Sequence, residues 1–84
     1  MKGDVIISPL STEKTALMAE KENKLTLIVR REANKEMIKK EVEERFGVKV
    51  EEINVLITKK GKKAIVKLAK EFSAEEIAER IGVF

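Results

Sequence analysis

Ile53-Asn54-Val55-Leu56-Ile57-Thr58, then Lys59-Lys60-Gly61-Lys62-Lys63, then Ala64-Ile65-Val66-Lys67-Leu68, is the stretch that decides the fold. Two apolar runs rich in β-branched residues flank five residues that include one glycine, the pattern of a β-hairpin. Four of those five connecting residues are lysine. Ammonium groups gathered at the end of a rigid ribbon set up a focused positive field. Such a field suits a polyanion with closely spaced charges, and nucleic acid is the commonest of these. Lysine also guards sheets against edge pairing. On charge alone, a solubilising loop therefore stands beside the polyanion grip.

Upstream of the hairpin, Leu25-Thr26-Leu27-Ile28-Val29-Arg30 alternates as a strand does, with Leu25, Leu27 and Val29 on one face. Between this strand and the hairpin lies a helix with Asn34 as its N-cap and Ala33 facing Ile38 as a staple. Ile38, Val42 and Phe46 recur every four residues as its apolar stripe, and Gly47 supplies a left-handed exit. Its charged residues Glu36, Lys39, Lys40, Glu43 and Glu44 read as a solvated face. Downstream, Ser73 and Glu76 form a capping box and Phe72 faces Ile77 as a staple. That last helix offers Ile77, Ala78, Ile81 and Phe84 for burial and ends at Gly82. At the N-terminus, Asp4 to Ile7 reads as a short edge strand stopped by Pro9. Ser11 then opens a helix that carries Glu13 in its first turn and runs to about Lys21. Leu10, Leu17 and Met18 are its candidates for burial, and Asn23 its stop.

A strand, a helix and a second strand in this order demand a right-handed crossover between parallel strands. The hairpin then returns the last strand antiparallel between them. The result is an α+β fold of the ferredoxin-like, split β-α-β kind, mostly antiparallel, with strand order 1-2-4-3. One sheet face gathers Leu25, Leu27, Val29, Ile53, Val55, Ile57, Ala64, Val66 and Leu68 as a core. The other still carries Ile28, Leu56 and Ile65. That is too much apolar surface to leave wet, so helices are expected on both faces. The first helix would cover part of the second face and a partner the remainder.

At 84 residues the chain is a single domain, residues 1–84, small enough that a partner binding only the folded form would add to its stability. It contains no cysteine, which removes disulfides and thiolate metal sites and fits a cytoplasmic setting. No stretch reaches membrane-span length, and Val5-Ile6-Ile7 is too short for a signal-peptide core. Charged residues make up 39% of the sequence, mostly interspersed Lys and Glu, a bias shared with thermophilic proteins. The net charge is only +3, so distribution decides: lysines crowd positions 59–63, while carboxylates crowd 41–52 and 71–79.

Catalysis has little to work with. Histidine is absent, Asp4 is the only aspartate, and neither Ser8, Ser11 nor Ser73 has a base of the usual kind. The pairs Glu43-Glu44, Glu51-Glu52 and Glu75-Glu76 sit in charged contexts that lack the burial a catalytic carboxyl needs. No phosphate-cradling glycine loop, calcium loop or cofactor motif is present. An enzyme and a bound cofactor are not expected. Nucleic-acid binding by base stacking is disfavoured too, because Phe46, Phe72 and Phe84 all fall at helix ends. A lysine tip gripping phosphates of a folded RNA remains, with Lys14, Arg30 and Arg31 widening the footprint.

Two motifs carry a family resemblance. Ser8-Pro9-Leu10-Ser11-Thr12-Glu13-Lys14-Thr15 and Lys62-Lys63-Ala64-Ile65-Val66-Lys67-Leu68-Ala69, with Ile77 beyond and Asn54-Val55 before the lysine turn, resemble the archaeal form of the L-twenty-three family. These are large-subunit ribosomal proteins, and the likeness spans nearly the whole chain. It implies assembly: binding to large-subunit ribosomal RNA beside neighbouring ribosomal proteins, at the rim of the polypeptide exit tunnel. Factors that meet the nascent chain dock there, the signal recognition particle among them, without membrane insertion. The resemblance implies RNA contacts at Lys59, Lys60, Lys62 and Lys63, joined by Ser11, Thr12, Lys14 and Thr15. It implies a docking role for Glu13 and a cytoplasmic, ribosome-bound location. The tip is short, so the tunnel-reaching loop of bacterial members is not transferred. The competing reading is a free ferredoxin-like module that oligomerises or binds a small ligand through Ile28, Leu56 and Ile65.

Overall fold

A computed structural model describes residues 5–59 and 61–81. The elements in order are β1 (Ile6–Pro9), α1 (Glu13–Glu22), β2 (Lys24–Val29), α2 (Lys35–Phe46), β3 (Val50–Thr58), β4 (Gly61–Leu68) and α3 (Ala74–Arg80). The four strands form one sheet ordered β1-β2-β4-β3, and every neighbouring pair is antiparallel. β2 and β3 therefore run parallel with β4 inserted between them, the split arrangement that the hairpin implies.

Local chemistry sets the helix ends. Asn34 Oδ1 accepts the Met37 amide at 2.8 Å, and Gly47 leaves α2 at φ 66°. Ser73 Oγ accepts the Glu76 amide at 3.2 Å to open α3. In α1 the cap falls one residue later than expected. Thr12, rather than Ser11, accepts the Thr15 amide, and Thr15 Oγ1 returns the bond to the Thr12 amide at 2.9 Å. A threonine at the third helical position thus does the work usually given to Glu or Gln. β1 also starts later than expected and ends on Pro9, which an edge strand tolerates because its proline lacks only an unused donor. Asp4, Lys60, Gly82 and Phe84 lie outside the described residues.

The core fills one side of the sheet. Leu25, Leu27, Val29, Ile53, Ala64, Val66 and Leu68 meet Ile38 and Val42 of α2 and Ala74, Ile77 and Ala78 of α3. α1 contributes through Thr15 and Ala19, whereas Leu17 stays 47% exposed. α1 packs against α3 and β2, and Ala19 belongs to the same apolar cluster as the other two helices. Small residues suit the close approach of α1 to α3, and the larger Leu17 faces away. Leu56, on the opposite face, is 46% exposed, with Ile28 and Ile65 half-buried beside it. Ile57 was expected in the core but is 74% exposed, because it pairs with Lys62 at the far end of the hairpin.

Candidate nucleic-acid interface

Thr58 pairs with Gly61 across the ladder, so only positions 59 and 60 connect β3 to β4. The five-residue lysine loop is thus corrected to a two-residue connection, and Lys62 and Lys63 are strand residues. Gly61 makes the shorter turn possible. Its φ of +125° lies where L side chains are rarely found, and Thr58 Oγ1 donates to its carbonyl at 2.7 Å. A Cβ at Gly61 would meet nothing within 4 Å, so strain there is purely conformational. Gly61→Ala is expected to cost about 1–3 kcal/mol, read as a drop in urea midpoint at unchanged m-value.

Strand alternation then separates the lysines. Lys62 pairs with Ile57 and Val29, placing it on the helix-bearing side. Its Nζ donates to the carbonyls of Arg31 at 3.1 Å and Ala33 at 2.6 Å, bracing the segment that leads into α2. Lys63 points to the open face. It pairs with Ile28 on β2 and Leu56 on β3, and Ile28 pairs in turn with Ser8 on β1. Ser8, Ile28, Lys63 and Leu56 therefore form one row across all four strands. Lys59 is exposed in the turn next to this row.

The β1–α1 corner meets the row from the other side. The Leu10 amide donates to the Thr26 carbonyl at 3.1 Å, which holds the corner against β2. Thr15 Oγ1 donates to Leu10 O and Thr12 O, both at 3.0 Å, and is buried. Ser11, Thr12, Glu13 and Lys14 are exposed around it. Between corner and hairpin lies an open cleft of about 280 Å³ lined by Leu10, Thr12, Ile28, Thr58, Lys59 and Lys63. The two sequence motifs thus border a single concavity, Leu10 and Thr12 of the first lying 51 to 53 positions from Lys63 of the second. Arg30 and Arg31 are exposed just beyond the end of β2. Leu10, Ile28 and Thr58 were missed as members of this site by sequence reasoning. The open-face alternation of Ile28 was visible, but its register against Lys63 was not.

Electrostatics distinguish the two ends of the open face. Away from the hairpin, Lys24 pairs with Glu22 at 3.2 Å and Lys67 with Glu51 at 3.7 Å. Lys59 and Lys63 form no ion pair with a carboxylate among the described residues. The cleft's lining holds two ammonium groups and no acid. No cluster of metal-binding carboxylates occurs among the described residues, and no described helix is long and apolar enough to cross a membrane.

The split α+β sheet presents an open face that carries cations beside the β1–α1 corner. The sequence profile of the family described as Ribosomal protein L23 matches residues 4–76. The large ribosomal subunit protein uL23 of Thermoplasma acidophilum is 92% identical over 84 residues, 100% of both chains. The protein of the same description from Picrophilus torridus is 64% identical over 81 residues, 96% of this chain and 99% of the relative. The chain belongs to the ribosomal protein L23 family, and is a structural ribosomal protein rather than an enzyme.

Proposed function

We propose that the protein is a cytoplasmic, ribosome-bound constituent of the large subunit that binds large-subunit ribosomal RNA through its open face. The observation that carries this reading is the convergence of Lys59 and Lys63 with the β1–α1 corner, free of carboxylate partners among the described residues. Lys14, Ser11, Thr12, Arg30 and Arg31 extend the same footprint, and Lys60, which lies outside the described residues, is proposed as an RNA contact on its sequence position alone. Thr15 supports it from within, since its hydroxyl is committed to holding the corner. Lys62 is assigned a bracing role instead. Neighbouring ribosomal proteins cover exposed apolar side chains such as Leu56 and Ile57. We further propose that the protein stands at the exit-tunnel rim, as the family resemblance implies, and that Glu13, exposed in the first turn of α1, meets nascent-chain factors such as the signal recognition particle.

The test is a salt titration of binding to protein-free large-subunit ribosomal RNA. Each phosphate neutralised by a lysine contributes about −0.7 to −0.9 to the slope of log affinity against log salt. Replacing Lys59 and Lys63 together by glutamine is expected to make the slope shallower by about 1.4–1.8. A free ligand-binding or oligomerising module would show no such slope in the unsubstituted protein, and that result would overturn the reading.

A further inference from the structure

We propose that the cleft between the β1–α1 corner and the hairpin receives one unstacked nucleotide of the RNA, its base against Leu10 and Ile28 and its phosphate between Lys59 and Lys63. This deepens the RNA-binding reading and rests on it. The argument begins with what the cleft has left to offer. Thr58 Oγ1 is committed to the Gly61 carbonyl, and Thr12 Oγ1 accepts the Thr15 amide. The Thr12 hydroxyl also donates to Thr15 Oγ1 at 3.5 Å, so the lining donors with no partner among the described residues are the ammonium groups of Lys59 and Lys63. They select an anion and carry no pattern that reads a base edge.

The floor is aliphatic. Leu10 and Ile28 give a base a surface to leave water against, but no aromatic ring on which to stack. At about 280 Å³, the cleft lies just under the usual size range of small-molecule pockets, so it holds one nucleotide and excludes a duplex. Sequence-tolerant capture of a nucleotide splayed from a loop or bulge is the mode that combines these properties. An acidic segment of a neighbouring protein is the competing occupant. The absence of a carboxylate partner for either lysine among the described residues, in a chain of net charge +3 whose family is ribosomal, favours the polyanion.

The experiment places photo-leucine, an aliphatic diazirine no bulkier than the isoleucine it replaces, at position 28, and in a second protein at position 56, which shares the row but lies outside the cleft. Each full-length protein is photolysed on protein-free large-subunit RNA, and cross-links are mapped by reverse-transcription stops. Ile28→Trp, which fills the cleft, is measured in parallel after circular dichroism confirms its fold. The expected result is one dominant unpaired nucleotide cross-linked from position 28 and not from 56. Ile28→Trp should bind about five- to tenfold more weakly at an unchanged salt slope, at the low end for loss of one base contact because no aromatic is involved. Cross-links spread along a duplex, or full affinity in Ile28→Trp, would overturn the nucleotide pocket while leaving RNA binding intact. Cross-linking at position 28 to a protein within assembled subunits, with none to RNA, would overturn it in favour of the acidic segment. Loss of salt-dependent binding by the unsubstituted protein would instead overturn the underlying reading.

Discussion

Asn23→Ala is expected to destabilise the fold by about 3 kcal/mol, lowering the melting temperature on the order of 15 °C in a domain of this size. The side chain joins elements that are far apart in sequence. Its Nδ2 donates to the carbonyls of Leu68 at 3.2 Å, Ala69 at 3.3 Å and Phe72 at 2.9 Å. Its Oδ1 accepts the Ala74 amide at 2.8 Å, satisfying a donor at the start of α3 that no helical carbonyl reaches. The backbone adds to this: Asn23 caps α1 in the left-handed region at φ 57°, and its carbonyl accepts the Leu68 amide at 3.1 Å. Alanine would lose the side-chain bonds and strain the cap, since a Cβ without a local hydrogen bond disfavours positive φ. Asn23→Gly should recover about 1 kcal/mol by relieving that strain alone. Asn23→Asp should be no better than alanine, because a carboxylate would face three carbonyls with no proton to offer them. Urea denaturation of the three variants checks the ranking. Equal effects of alanine and glycine would remove the backbone part of this account.

Asn23 also shows where sequence reading stops. Its role as a helix stop is local, and a polar residue tolerant of positive φ announces it. Its bonds to Leu68, Ala69, Phe72 and Ala74 span 45 to 51 positions and leave no trace in spacing. The same division runs through the rest of the chain. The caps at Asn34 and Ser73 and the exit at Gly47 are local, so they were legible. The sheet order followed from one hairpin and one crossover. α1 misled because its apolar Leu17 faces outward while Thr15 and Ala19 go inward. Periodicity weighs side-chain size, but close packing against another helix selects small residues. The lysine cluster was legible as composition and illegible as geometry. Whether positions 61–63 belong to the loop or the strand depends on pairing with Leu56, Ile57 and Thr58, and a single shift in register would exchange the faces of Lys62 and Lys63.

That exchange underlies the second large effect, which sets two adjacent lysines against each other. Lys63→Gln is expected to leave stability within about 0.5 kcal/mol of the parent, as for surface changes away from special features. It should make the salt slope of RNA binding shallower by about 1. Lys62→Gln is expected to do the reverse, costing about 1–2 kcal/mol while the slope stays put. Its ammonium already spends its hydrogen bonds on Arg31 O and Ala33 O, in a bond pair that ties β4 to the lead-in of α2. Releasing it would free carbonyls that the glutamine amide is too short to satisfy together. Urea melts and binding isotherms at several salt concentrations on the same preparations separate the two outcomes. A Lys62→Gln protein of full stability and shallower slope would make Lys62 a phosphate ligand, with its bond to Ala33 O too weak to hold it. The expected result would instead leave phosphate contact to the strand's open side, since successive side chains on a strand face opposite ways.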